Sequence, residues 1–355
     1  MSKRFTILIL SLAVVAAAFG GPALAQDDCD FVGEIYLGVI APLTGDIPKV
    51  GQDTVEAAQM AVDEINAACG LEVDGESYEV IIVVEDNESK AESSVAVATR
   101  LIVEEDVLGI IGPQASKQAV PTGQVANDRE TPMISPWSTN PDTTFDRPWV
   151  FRAAFLDPFQ GPVVASFVQN EFGAETAAVL YDVGSDYPKG LAENFRDAAT
   201  ANGIEVVGFE TFTTGDTDFS SQLTNIIADS PDVIFTPQYY NEVPLIVQQA
   251  RELGYEGPIV GSDSWGTPDL LDLCGEACNG LFFSTHYAPD IATEVGQTFI
   301  SAYEERYNAT PSDVAALTYD AFQMMFMAIE NANSLDKADV RDALANIELF
   351  EGVTG

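Results

Sequence analysis

Short apolar runs alternate along this chain with longer stretches in which apolar residues recur every three or four positions. The run "EIYLGVIA" (34–41) predicts a strand that stops at "PLTG". Val55, Ala58, Val62 and Ile65 then fall on one face of a helix over 50–68. "YEVIIVVED" (78–86) predicts the next strand, 90–104 the next helix and "VLGIIG" (107–112) a buried strand. A further helix starts near Ser116, and "TPMIS" (131–135) closes the block. After "RPWVFRAAF" the pattern restarts, with helix over 159–171 and strand at "AAVLYD" (177–182). A helix to Asn202, the strand "IEVVGFE", a helix over 218–229 and the strand "DVIFTP" (232–237) continue it. Val243, Ile246, Val247, Ala250 and Leu253 mark a helix over 241–254. "PIVG" and "GLFFSTHY" are short strands, and 292–347 is mainly helical. Apolar strands alternating with amphipathic helices predict an α/β fold with parallel sheets covered on both faces.

Composition changes the picture in three ways. Lys3 and Arg4 precede an apolar run to Phe19, and "PALAQ" offers a small-residue cleavage site after Ala25. Residues 1–25 thus read as a secretory signal peptide, which predicts a periplasmic or secreted protein. "AQDDC" lacks the small-residue box of a lipid anchor. Second, the formal charge of −41 excludes nucleic acid as a natural partner, because like charges repel. The acids are spread along the chain, so they read as a solvated surface tolerated where salt screens it. Third, four cysteines in an exported chain read as disulfides. Cys274 and Cys278 predict a small closed loop, which leaves Cys29 for Cys69, although sequence alone leaves other pairings open.

Ligands of open α/β sheets sit outside the carboxyl ends of strands, so the chemistry is sought there. The first block offers hydroxyls and amides in "PLTG", "GPQASKQ" and "SPWSTNP". The second offers tyrosines and carboxylates in "YDVGSDYPKG", "TPQYYNE" and "GSDSWG". Ser116 opens a helix, where a hydroxyl and free N–H groups suit an anion, though capping alone explains a serine there. Ser138 and Thr139 lie in the neighbouring exit, where turn chemistry before Pro141 is the simpler account of Ser138. Lys117 reads as a surface charge. Asp263 needs a cation or donors at a buried strand end; Asp182 and Asp186 are alternatives, with 184–186 reading as a turn. Tyr187, Tyr239, Tyr240 and Trp137 present flat faces that pack or attract an ammonium. Of the adjacent tyrosines, at most one faces a cleft. Hydroxyls on one block and a carboxylate with aromatics on the other suit a zwitterion that holds two lobes shut. His286 is the only histidine, and no nucleophile elbow, phosphate loop, dinucleotide fingerprint, calcium loop or zinc-protease motif is present. No enzyme, metal or cofactor is expected.

From 34 to 355 the chain resembles the type I periplasmic binding proteins. The group it is most similar to is the leucine/isoleucine/valine-binding proteins of branched-chain amino acid ABC transporters. The likeness is carried by "IYLGVIAPLTG", "GIIGPQAS", "PMISPWSTNPD", "FRAAFLDPFQG", "DTDFSSQL", "PDVIFTPQYYNEVPLIVQQARELG", "GSDSWG" and "YDAFQMMFMAI", in that order. The resemblance implies two α/β lobes joined by three crossovers, with the ligand in the cleft. It implies one lobe from 27–152 plus 286–355 and another from 153–285. It assigns the α-carboxylate of an amino acid to Ser116, Thr139 and the backbone of Ala115. The ammonium falls to the Trp137 carbonyl, Tyr240 and Asp263, and lobe closure to Tyr187. It implies a monomer that delivers its ligand to an inner-membrane permease. Two departures stand out. Trp137 occupies a position that is small in branched-chain binders, and strands that complete the second lobe in the family are expected beyond "EGVTG".

Overall fold

A computed structural model describes residues 29–267 and 269–355. The expected signal peptide lies outside the described residues.

The first sheet is built from β1 (Gly33–Ala41), β2 (Leu71–Val73), β3 (Glu76–Asp86), β4 (Gly109–Ile111), β5 (Met133–Ser135) and β6 (Val150–Arg152). Its order is β2-β3-β1-β4-β5-β6. All neighbours are parallel except β2, which pairs antiparallel with β3. The apolar periodicity does not predict that hairpin. Asp74 and Gly75 join it with φ of 54° and 76°, the left-handed pair a tight hairpin requires.

Helices α1 (Pro48–Ala67), α2 (Ala91–Val103) and α3 (Ser116–Asp128) connect these strands. The chain then enters the second sheet through α4 (Asp157–Phe172). That sheet contains β7 (Thr176–Asp182), β8 (Glu205–Phe212), β9 (Val233–Phe235), β10 (Ile259–Gly261) and β11 (Phe282–Phe283), in the order β11-β10-β9-β7-β8. Every pairing in it is parallel. Its connecting helices are α5 (Asp186–Ala201), α6 (Ser220–Ala228), α7 (Val243–Glu252) and α8 (Asp269–Cys274). The chain ends in α9 (Glu294–Tyr307), α10 (Asp313–Ala332) and α11 (Lys337–Ala345).

The tail helices return to the first sheet. Phe322, Met325 and Phe326 of α10 pack with Leu37 and Val39 of β1 and with Val62 of α1. Val179, Phe195 and Phe235 centre the second core. Each such fully buried side chain contributes roughly 1.5–3 kcal/mol. A third cluster joins Ile47, Val50, Ala115 and Trp137 of the first half to Ile234, Tyr240 and Trp265 of the second, with Val314 and Leu317 of α10. This apolar seam brings the carboxyl edges of the two sheets together.

Both expected disulfides form, Cys29–Cys69 and Cys274–Cys278. They close loops separated by 40 and 4 positions. Loop-closure entropy makes the longer one worth about 4 kcal/mol and the shorter about 2 kcal/mol. Replacing Cys29 and Cys69 by serine should therefore lower unfolding stability about twice as much as replacing Cys274 and Cys278. Guanidinium titrations of the two double variants check that order.

Candidate functional site

Five strand exits, those of β4, β5, β7, β9 and β10, meet at the seam. Beyond β4, the turn through Gly112 delivers Gln114 and Ala115 to the start of α3, whose first residue is Ser116. Ser116 is 1% exposed and does not cap its helix. Its Oγ lies 2.8 Å from Ser138 Oγ, which lies 2.7 Å from Thr143 Oγ1. The hydroxyls thus form a chain beyond β5. Thr139 is fully buried; its Oγ1 has no partner of ordinary geometry but lies beside the Asp157 carboxylate, whose own backbone N–H donates to the Thr139 carbonyl at 2.9 Å.

Arg152 fixes this loop from beneath. Its guanidinium donates to the carbonyls of Ser138, Asn140 and Pro141 and to Thr144 Oγ1 at 2.6–3.2 Å. Burial pulls its pKa down to about 10, so it stays charged at neutral pH. Trp137 lies in the same loop, with its indole N–H donating to Asp313 Oδ2 at 3.2 Å. The same oxygen is 3.4 Å from Nδ1 of His286, whose ring stacks on Phe155 at 3.8 Å.

The second sheet supplies the opposite pole. Asp263 follows β10 and is 1% exposed. Its Oδ1 accepts from Tyr187 OH and from Gln160 Nε2, both at 2.6 Å. Burial raises its pKa, against the pull of His286 and the Tyr187 hydrogen bond. Tyr187 also lies 2.6 Å from Ser262 Oγ. Burial and the Asp263 carboxylate hold the Tyr187 phenol well above its ordinary value, so it stays a donor.

The structure brings Ala115, Ser116, Trp137, Tyr187 and Asp263 around one narrow space, together with Gln114 and Tyr239. The two residues of the tyrosine pair face different ways. Tyr239, not Tyr240, takes the place between Trp137 and Tyr187, with ring centroids 6.0 and 5.3 Å away. Tyr240 packs into the apolar seam, and its OH accepts from the Lys49 backbone N–H at 3.2 Å. Side chains at adjacent positions diverge, and the apolar seam claimed the second of the pair. Asp182 is buried but occupied by the backbone N–H groups of Gly184 and Thr214, which makes it a turn residue. Asp186 is exposed. Lys117 is half-buried and lines an adjoining cavity that also contains Asp182, Ser185 and Tyr239.

Sequence reasoning missed Asp157 and Gln160, one turn apart at the start of α4. Asp157 is fully buried and neither carboxylate oxygen has a hydrogen-bond partner. Burial first, then the nearby Asp263, pushes its pKa up to about 7, against Thr139 and Arg152. The spacing D-x-x-Q opening a helix just after the "FRAAF" run was the available signal.

Two parallel α/β halves, a polar cleft between their strand exits and opposed hydroxyl and carboxylate walls define a two-lobed ligand-binding protein. The family model "Periplasmic binding protein" matches residues 34–355, and the chain belongs to that family. It is a solute-binding protein and not an enzyme. Among relatives, a Leu/Ile/Val-binding protein, BraC3, of Rhizobium johnstonii is 30% identical over 94% of this chain and 87% of its own length. A leucine-, isoleucine-, valine-, threonine- and alanine-binding protein of Pseudomonas aeruginosa is 27% identical, covering 100% of this chain and 91% of itself. Among solved structures, the leucine-binding protein LivK of Thermotoga maritima superposes with a TM-score of 0.86 at 37% identity, covering 90% of both chains. LivJ of Streptococcus pneumoniae, in complex with isoleucine, gives 0.85 at 33%, covering 91% of this chain and 90% of its own.

Proposed function

We propose that this chain is the extracytoplasmic receptor of an ABC importer and captures a neutral α-amino acid. The lobe of residues 27–152 with 286–355 closes on the lobe of residues 153–285, and the closed form docks on an inner-membrane permease. It works as a monomer in the periplasm or as a secreted protein, without cofactor, metal or nucleic acid.

The observation that carries this reading is the opposition of hydroxyls and a carboxylate across one cleft. Ser116, bonded to Ser138, lines it from the first lobe, and Asp263 lines it as a buried carboxylate from the second, with the buried Asp157 near it. A carboxylate on the ligand takes the hydroxyls, and its ammonium takes the acids and the face of Tyr239. Charge-assisted bonds in a buried site are the strong ones. The relatives named for leucine, isoleucine, valine, threonine and alanine support the same ligand class.

Calorimetry across the twenty amino acids tests this, with each binder compared to its decarboxylated amine and its deaminated acid. Both halves should bind at least about 100-fold more weakly than the zwitterion. An acid or amine that binds as tightly as the amino acid would overturn the reading.

A further inference from the structure

We propose that Gln114 and Trp137 select the ligand's side chain, and that the site prefers a small hydroxyl-bearing amino acid, threonine or serine, to its apolar counterpart. This rests on the amino-acid reading above and names the member of that class.

Gln114 lines the narrow space beside Ala115, Ser116 and Trp137 and is fully buried. One end of its amide donates to Thr318 Oγ1 at 3.3 Å. The other end, Oε1, is buried and has no partner. A ligand hydroxyl that donates to Oε1 repairs the deficit. A methyl group in the same place leaves a buried polar atom unsatisfied, the arrangement that discriminates most strongly between isosteres.

Trp137 sets the size. Its ring is 5% exposed and its N–H is held by Asp313, itself 2% exposed in the first turn of α10. His286 occupies the other side of that carboxylate. The indole therefore does not swing aside without giving up a buried hydrogen bond. The fixed ring takes up space on the cleft side of Ala115 and Ser116 that a ligand's side chain would otherwise fill, which favours a short side chain.

Threonine and valine have nearly the same shape and differ in one hydroxyl, so their comparison isolates Gln114. Calorimetry on the unaltered chain should show threonine binding at least about 30-fold tighter than valine, serine tighter than alanine, and leucine weaker than threonine. Gln114→Leu should erase the threonine advantage, with folding checked by circular dichroism. Valine or leucine binding the unaltered chain as tightly as threonine would overturn the inference and leave the amino-acid reading standing. A threonine advantage that survives in folded Gln114→Leu would overturn the role of Gln114. Failure of every amino acid to bind overturns both readings together.

Discussion

Asp263→Ala is expected to weaken amino-acid binding by about 100-fold or more while the protein remains folded. The carboxylate is buried at the end of β10 and lies where Tyr187, Gln160 and the cleft converge. Losing a buried charge partner for an ammonium typically costs 2–5 kcal/mol, which is the scale of that loss in affinity. The fold should tolerate the change. Tyr187 keeps Ser262 as a partner and Gln160 keeps Ser284 Oγ at 2.7 Å. Like-charge repulsion with Asp157 and Asp313 also disappears, which offsets the lost hydrogen bonds. Asp263→Asn separates charge from shape, because it keeps the volume and still weakens binding. Calorimetry gives the affinity and a thermal melt gives the fold. Unchanged affinity in folded Asp263→Ala would remove this residue from the ammonium site and with it the zwitterion account.

The alternation of apolar strands and amphipathic helices was legible because each βα unit buries its own stripe. Helix α1 and strand β1, for instance, start and stop within a few residues of their expected bounds. Two elements were not legible in that way. Strand β2 is only three residues long, too short for any periodicity, and its "DG" turn was the sole local sign. Strand β11 keeps only two residues of "GLFFSTHY", because just Phe282 and Phe283 find partners on β10.

The site divides along the same line. Ser116, Trp137, Tyr187 and Asp263 follow from asking what chemistry lies at strand exits. Alternation says that one tyrosine of a pair faces the cleft, but only the packing of Val243, Trp265 and Val50 around Tyr240 decides which. For Asp157 and Gln160 the only local sign is the D-x-x-Q spacing that opens α4; what they meet is set by long-range closure. The 103-residue separation between Gln160 and Asp263, or 204 between Gln114 and Thr318, leaves no local pattern for those contacts.

Asp157 carries the second large expectation, a binding affinity that rises with pH. Its carboxyl is pushed up to about 7, chiefly by burial, with Asp263 adding and Thr139 and Arg152 opposing. In the unfolded chain the same group titrates near ~4. Between these values the folded state holds a proton that the unfolded state has lost. Stability of the ligand-free protein therefore falls as pH rises through that window, by up to about 4 kcal/mol from this one group, and levels off above it. An ammonium placed in the cleft reverses the preference, because it favours the ionised form. Binding then expels the proton, and affinity climbs from pH 5 toward pH 8, by as much as about tenfold per unit below the carboxyl's pKa. Asp263 contributes in the same direction, since burial raises it as well. Tyr187 and Tyr239 stay protonated throughout, both held well above their ordinary values by burial and by Asp263. Asp157→Asn should match the unaltered protein at pH 5, where the native carboxyl already carries its proton. It should bind more weakly at pH 8, with a shallower pH profile that retains only the share of Asp263. Calorimetry in two buffers of different ionisation enthalpy measures the proton count directly. A flat profile for the unaltered protein, with no proton released near pH 7, would show that the ligand's ammonium does not reach Asp157.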